Sequence, residues 1–123
     1  MAGTDIRLVA HLRVKPGQID PLTAGVREVV DVTDRQNSAL SYEWYLNDDA
    51  TECHAVEHYA NSDAFLAHMQ TSIGIEILPR LRDTWDLTLL DVYGDLSPQA
   101  EAEFRAFAGA ILRVFRPLAG YTR

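Results

Sequence analysis

The sequence lacks the features that mark secreted and membrane proteins. Its 123 residues include one cysteine, Cys53, which excludes an internal disulfide and a cysteine cluster for zinc. No apolar run approaches the roughly 20 residues of a membrane-spanning helix. The first ten residues have neither the basic segment nor the apolar core of a secretory signal peptide. We therefore expect a cytoplasmic protein that does not enter a membrane.

Positive charge is also scarce. Eleven Lys and Arg residues stand against 18 Asp and Glu residues, which gives a net charge of −7. Nucleic acids and anionic membranes bind cationic surfaces, so neither is expected as a partner. The sequence has no glycine-rich dinucleotide or phosphate loop, and we expect no NAD, flavin or ATP as a cofactor.

The segments that are present alternate between strand and helix patterns. Hydrophobic residues make up 47% of the chain, enough for one folded core. Residues 6–14 alternate as a strand does, and Asp20 is expected to cap the following helix, with Pro21 in its first turn. Apolar positions on one face of this strand are Leu8, Ala10, Leu12 and Val14. The predicted buried stripe of the helix is Leu22, Val26, Val29, Val30 and Thr33.

A β-hairpin is predicted over residues 39–46 and 52–59, which are rich in aromatic and branched side chains around a polar loop. With four residues in the loop, Tyr42 lies opposite Glu57 and Trp44 lies opposite Ala55. One face then carries Leu40, Tyr42, Trp44, Leu46, Cys53, Ala55, Glu57 and Tyr59. A slip of one residue would transfer this set to the other face.

The remaining elements complete a ferredoxin-like pattern. Asn61 or Ser62 can cap a helix over residues 62–71, Gly74 and Pro79 are expected to interrupt the chain before a second short helical piece, and residues 87–93 form a fourth strand. The order βαββαβ predicts an α+β fold with an antiparallel sheet whose first and third strands are central. We expect one domain over residues 1–123, with this core in residues 6–93.

An additional amphipathic helix is predicted over residues 97–116. Ser97 is its expected cap, Pro98 takes the first helical position, and Arg116 and Pro117 end it. The apolar stripe is Phe104, Phe107, Ala108, Ile111, Leu112 and Phe115. Such a helix can cover the core or a dimer surface, or it can form a lid over a pocket.

The fourth strand carries Leu89 on one face and Leu90 and Val92 on the other. Helices of one chain can cover only one side of this sheet. Apolar residues on both faces therefore predict a second cover, most simply the sheet of a partner subunit in a homodimer.

Glu57 and His68 are the candidate catalytic residues. In the hairpin register above, Glu57 shares a face with Tyr42, Trp44 and Tyr59, and partial desolvation by aromatic rings raises a carboxyl pKa toward the range useful for a general base. The structural alternative is an ion pair or a hydrogen bond of Glu57, for example with Arg13. His68 lies on the flank of its helix, beside the buried positions Phe65 and Met69. The three aromatic residues are candidate substrate-binding residues, although they would also suit a core or an interface.

Metal and thiol chemistry have less support in the sequence. His54 and His58 lie four residues apart on the opposite strand face and are candidate metal ligands that His11 of the first strand could join, but no recognised metal-binding spacing accompanies them. We expect these histidines to pack at an interface, and we expect no metal. Cys53 has no neighbouring base in sequence to activate it as a nucleophile.

Four segments, in this order, resemble the antibiotic-biosynthesis monooxygenase family of dimeric α/β barrels: RVKPG at the end of the first strand, VEHY, SDAFLAHMQT, and the sequence of the fourth strand. The resemblance covers residues 6–93 and implies a homodimer with a pocket between sheet and helices. It also implies that Glu57 and His68 match a strand glutamate and a helix histidine of the family. Several relatives carry a second histidine one helical turn beyond the first, where this chain has Ser72, Ile73 and Gly74. The first-strand asparagine typical of haem-degrading relatives is absent.

These observations predict a cofactor-independent monooxygenase, an oxidoreductase that acts on an aromatic, phenolic or quinol-like small molecule. Two alternatives stay open. One is a non-catalytic dimeric module that binds a small ligand, and the other is a haem-binding or haem-degrading protein.

Overall fold

The computed structural model describes residues 3–123. Met1 and Ala2, which belong to the predicted domain, lie outside the described residues. The elements in chain order are β1 (Ile6–Val14), α1 (Ile19–Gln36), β2 (Ser41–Leu46), β3 (Glu52–Tyr59), α2 (Ser62–Met69), a π-helical turn (Ile73–Ile77), α3 (Leu78–Leu81), a 3-10 turn (Arg82–Thr84), β4 (Trp85–Tyr93), α4 (Pro98–Ala108), a second 3-10 turn (Gly109–Ile111) and β5 (Leu112–Phe115).

The strands form one five-stranded sheet in the order β2-β3-β1-β4-β5. The first four strands are antiparallel, and β5 runs parallel to β4. The α+β, ferredoxin-like prediction is thus confirmed, with β1 and β3 central among the first four strands. The fifth strand makes the sheet mixed rather than wholly antiparallel.

The hairpin register is confirmed. Tyr42 pairs with Glu57 and Trp44 pairs with Ala55. The backbone N–H of Asn47 donates a hydrogen bond of 3.0 Å to the carbonyl oxygen of Glu52. The loop therefore contains the four residues 48–51, as predicted, and the strand parity of the candidate site follows from it.

The helices pack on one face of the sheet, which we call the helix face; we call the opposite one the open face. Core residues on the helix face include Leu8, Ala10, Ala55 and Leu90. The open face carries the apolar residues Val9, Val56 and Leu89 and the exposed aromatic residues Tyr45, Tyr93 and Phe115, set among charged and imidazole side chains. These polar residues are Arg7, His11, Arg13, Glu43, Glu52, His54, His58, Asp91 and Arg113.

Helix starts were predicted with mixed success. The side chain of Asn61 caps α2 by accepting a hydrogen bond from the backbone N–H of Ala64, and Ser97 caps α4 in the same way through Ala100. In α1 the prediction was wrong by two residues, because the helix begins at Ile19 and its N-cap, Gln18, makes no side-chain cap bond. Pro21 tolerates this start because the first turn has no intrahelical use for its missing N–H.

A second short helical stretch follows α2, as predicted, but Gly74 lies within it and α2 ends at Met69 rather than near Thr71. Residues 73–84 continue through π-helical, α-helical and 3-10 turns. A Cβ atom at Gly74 would lie 1.9 Å from the carbonyl oxygen of Met69. Glycine is needed here because the backbone passes this close to the end of α2.

The C-terminal helix is shorter than predicted. It ends at Ala108, and Gly109 follows with φ +58°, a conformation that favours glycine. Residues 112–115 instead pair with the free edge of β4, and Arg113 donates two hydrogen bonds to Asp91, at 2.6 and 2.9 Å. In the sequence, apolar residues continue at helical spacings of three and four beyond Gly109. A longer helix would have left the edge of β4 unpaired, whereas residues 112–115 satisfy its backbone hydrogen bonds as a strand.

Candidate functional site

A cavity lies between the helix face and the helices α2, α3 and α4. Its volume is about 60 Å³, and its walls are mainly apolar and aromatic. Two carboxylates take part in the wall: Glu57 from β3, and Glu103 from α4, which is otherwise exposed. The aromatic members of the wall are Trp44, Phe65, Trp85, Phe104 and Phe107.

Glu57 is the titratable group at the inner wall of this cavity. Strand pairing places it between Leu8 on β1 and Tyr42 on β2. Glu57 is half-buried, and its side chain faces the largely apolar wall of the cavity. Burial raises its pKa from 4.5 to about 7, and the hydrogen bond from Tyr59 lowers it by a smaller amount. A carboxyl group that titrates near neutral pH can accept and return a proton during a reaction.

A layer of rings lies around Glu57 on the helix face. The Tyr59 hydroxyl donates to Oε1 of Glu57 at 2.5 Å. The His68 ring lies 5.3 Å from the ring of Tyr42 and 5.3 Å from that of Tyr59, centroid to centroid. Burial, and then the charge of Glu57, hold the pKa values of both tyrosines well above 10. Both phenols are therefore neutral hydrogen-bonding groups.

His68 lies deeper than the sequence suggested. The sequence placed it on the flank of its helix, but its side chain has no exposed surface and does not line the cavity. Phe65 and His68 are three apart on the same side of α2, and both are buried against the core. Nδ1 of His68 lies 2.9 Å from Oγ of Ser38, and Nε2 has no hydrogen-bond partner among residues 3–123. Burial lowers the pKa of His68 to about 4, so its imidazole is neutral at pH 7.

Of the five predicted site residues, the structure brings Glu57 and Trp44 into the cavity wall and places Tyr42, Tyr59 and His68 outside it. The rest of the aromatic wall was missed. Phe104 and Phe107 were assigned to a covering helix, and their spacing of three was the available signal that they share a face. Trp85 was missed because it precedes the predicted start of the fourth strand.

Of the structural alternatives for Glu57, the ion pair with Arg13 is not formed, whereas a hydrogen bond is formed, from the hydroxyl of Tyr59. Arg13 lies on the open face and donates to Asp86 at 2.8 Å. Cys53 is buried, and burial raises the pKa of its thiol to about 11. A thiol with that pKa is a poor nucleophile at neutral pH.

His54 and His58 do not converge on one site. His58 lies 2.5 Å from Asp5, measured from Nε2 to Oδ2, whereas His54 lies beside His11 and Glu52. These three side chains on the open face are the one group of potential metal ligands found among residues 3–123.

No helix within residues 3–123 is both long enough and apolar enough to span a membrane. This finding agrees with the apolar run lengths in the sequence.

Solved structures share this fold. MupZ from Pseudomonas fluorescens superposes with a TM-score of 0.74 at 12% identity, over 97% of this chain and 94% of that one. Rv0793 from Mycobacterium tuberculosis gives 0.65 at 17% identity, over 76% and 96%. A structure described as an antibiotic biosynthesis monooxygenase gives 0.62 at 19% identity, over 71% and 92%.

Sequence comparison identifies the family. No curated protein matches the chain. The sequence model described as antibiotic biosynthesis monooxygenase matches residues 5–74, more than half of the chain, and this match includes β1 to α2 with Glu57 and His68. The chain therefore belongs to the antibiotic biosynthesis monooxygenase family.

Proposed function

We propose that this protein is a cofactor-independent monooxygenase of a phenolic or quinol-like small molecule, with Glu57 as its general base. One observation carries the proposal: a carboxyl group with a pKa of about 7 lines a cavity that is otherwise apolar and aromatic. Family membership supports small-molecule monooxygenase chemistry in general terms. The aromatic side chains of the wall are suited to a planar ring.

The proposed reaction converts a quinol and dioxygen into a hydroxyquinone and water. The Glu57 carboxylate takes a proton from a substrate hydroxyl. The resulting electron-rich anion passes one electron to dioxygen, and the two radicals combine to form a ring carbon–oxygen bond. The peroxide then receives the proton held by Glu57. The ring carbon that carries the hydroperoxide loses its hydrogen as a proton while the O–O bond breaks, and the departing hydroxide combines with that proton and leaves as water. The substrate supplies all the electrons, so no further reductant is needed.

In this proposal Tyr59 and His68 act through Glu57. Tyr59 donates to Oε1 and holds the carboxylate at the wall. His68 packs against the rings of Tyr42 and Tyr59 and, as a neutral imidazole, adds no charge that would lower the pKa of Glu57. We therefore assign His68 to positioning, and Glu57 to proton transfer. Trp44 would contact the substrate from the cavity wall.

The cavity must enlarge to admit a ring. Its volume of about 60 Å³ is well below the roughly 150 Å³ of a cavity that holds benzene. Phe107 and Glu103 of α4 line both this cavity and the adjoining surface groove, together with Met69 and Leu78. We propose that this boundary is the entrance and that α4 moves outward when the substrate enters, which gives the C-terminal helix the role of a lid.

We also propose a cytoplasmic homodimer that associates through the open face. Members of the family are often dimeric and bind small ligands. The helices of this chain leave the open face uncovered, and Val9, Val56 and Leu89 are apolar residues there.

Oxygen consumption with a panel of hydroquinones tests the function. The wild-type protein should consume oxygen with at least one member, and Glu57→Gln should lower the rate by about 10²–10⁴ with little change in KM, because it keeps the shape and removes the proton acceptor. Glu76→Gln is the matched control, since Glu76 is exposed on the π-helical turn. Saturable ligand binding without oxygen uptake would identify a non-catalytic binding module instead. A new absorption band on haem titration would support the haem alternative.

A further inference from the structure

Three potential metal ligands meet on the open face, on the other side of the sheet from the cavity. His11 of β1 and His54 of β3 are direct cross-strand partners. Glu52 lies two residues before His54 and therefore points to the same face. Because β1 and β3 pair along their whole length in the middle of the sheet, the positions of these side chains are set by a rigid backbone.

The side chains are close enough to share one ion. The ligand atoms of His11, Glu52 and His54 all lie within 4.8 Å of one another. Nε2 of His54 lies 2.5 Å from Oε2 of Glu52, and the imidazole centroids of His11 and His54 are 4.3 Å apart. Ligands on a tetrahedral zinc ion are separated by roughly 3.3–3.6 Å, since zinc–ligand bonds are roughly 2.0–2.2 Å. Binding one ion would therefore require small side-chain rotations that move His54 and Glu52 slightly apart and bring the more distant ligand atoms closer.

The neighbouring charges leave this group free to bind a cation. Arg13 is the cross-strand partner of Glu52, but its guanidinium bonds to Asp86 instead. Arg113 holds both carboxylate oxygens of Asp91, whose Oδ2 lies 3.4 Å from Nε2 of His11. Nε2 of His11 is buried and has no hydrogen-bond partner among the described residues. A buried imidazole nitrogen that makes no hydrogen bond is costly to leave without a ligand.

We propose that His11, Glu52 and His54 bind a divalent transition-metal ion, with Zn²⁺ as the class representative. Two imidazole nitrogens and one carboxylate oxygen are donors that zinc accepts, and water can take the fourth position. Nε2 of His54, which faces Glu52, is the nitrogen placed to bind the ion. We expected no metal because the spacing of His54 and His58 matched no known metal-binding motif. The approach of His11 to His54 depends on the pairing of β1 with β3.

The site is expected to be structural and separate from catalysis, because the sheet lies between it and the cavity. An ion here would tie β1 to β3 on the face that we propose for the dimer. Binding should therefore be measured at a concentration where sedimentation shows the assembled protein.

Isothermal titration of untagged, metal-free protein with Zn²⁺ tests the proposal. One ion should bind per chain, and Co²⁺ substitution should give the visible absorption of a low-coordinate site. His54→Ala and His11→Ala should each weaken Zn²⁺ binding by at least about 100-fold, since loss of a direct ligand costs no less than loss of an outer-shell partner. His58→Ala is the matched control on the same strand and face, and it should bind Zn²⁺ as the wild type does, because His58 pairs with Asp5.

Glu52→Gln preserves the size of the side chain and should also weaken Zn²⁺ binding. It replaces the alanine variants in the test if circular dichroism shows that they fold poorly. Wild-type protein that shows no saturable binding of one Zn²⁺ per chain would overturn the proposal. Equal affinity in the wild type, His54→Ala and Glu52→Gln would overturn it as well.

Discussion

Replacing Glu57 with glutamine should make the protein less active and more stable, and the stability gain should depend on pH. Burial raises the pKa of Glu57 from 4.5 to about 7 in the folded protein. The free-energy equivalent of this difference is about 3 kcal/mol. That energy is the cost of holding an ionised carboxylate at the cavity wall instead of in water.

The sign follows from proton binding. Between pH 4.5 and 7, folded protein keeps a proton on Glu57 that the unfolded chain has released, so rising pH destabilises the folded wild type. The Glu57→Gln variant has no such proton. Relative to the wild type, its free energy of unfolding should be similar near pH 4.5 and higher by about 3 kcal/mol at pH 8.

His68 contributes with the opposite sign. Its pKa is lowered from 6.5 to about 4 by burial, so between these values the unfolded chain binds the extra proton, and stability rises with pH. The contributions of Glu57 and His68 overlap and oppose each other in the wild type. The difference between wild type and Glu57→Gln removes the His68 contribution, which is common to both proteins.

Urea unfolding followed by tryptophan fluorescence at several pH values between 4.5 and 8 measures this difference. Glu76→Gln controls for the general loss of one negative charge, and its difference from wild type should stay near zero at every pH. A difference for Glu57→Gln that is constant across pH, or a variant less stable than wild type at pH 8, would refute the assignment of a raised pKa to Glu57.

Four further outcomes are expected. Tyr59→Phe removes the hydrogen bond that lowers the pKa of Glu57, so the midpoint of the pH–rate profile should move to higher pH, and an unchanged midpoint would count against this coupling. Sedimentation at micromolar concentration should give twice the chain mass of 13.8 kDa, with an interface of about 2,000 Å² in total; a folded monomer would contradict the dimer. Oxygen uptake should survive EDTA, because the proposed zinc site lies across the sheet from the cavity, and loss of activity that Zn²⁺ restores would show the two to be linked. Gly74→Ala should lower stability by about 2–4 kcal/mol in urea unfolding, since its Cβ would meet the backbone oxygen of Met69 at 1.9 Å; an unchanged midpoint would show that the backbone relaxes there.

The sequence could predict those features that depend on local pattern. Alternation located β1, and the polar loop between two aromatic segments set the register that pairs Tyr42 with Glu57. This register alone placed Glu57 on the same face as the core, which is why its raised pKa was foreseeable. Asn61 was equally readable, because a capping side chain acts on a backbone N–H only three residues away.

Features that depend on distant parts of the chain were missed. Helical spacing continued through Leu112 and Phe115, and nothing local showed that β4 would present an unpaired edge to them. The depth of His68 depends on how α2 packs against both tyrosine rings rather than on its position in the helix. Similarly, His11 became a partner of His54 only through strand pairing.

Strand β3 contributes to both proposed sites through its alternation. Its odd positions, including Glu57, lie on the helix face, while Glu52 and His54 lie on the open face. A one-residue slip of β3 would exchange these sets, carrying Glu57 out of the cavity and His54 into the core. Both proposals therefore depend on one register but on different side chains.

Substitutions at the two sites should be additive, since their side chains lie on opposite faces of the sheet. Glu57→Gln should accordingly leave Zn²⁺ affinity unchanged, and His54→Ala should leave the oxygen-uptake rate unchanged. If only one of these two expectations is contradicted, the proposal for that one site is wrong. If both are contradicted, the two sites are coupled through the sheet.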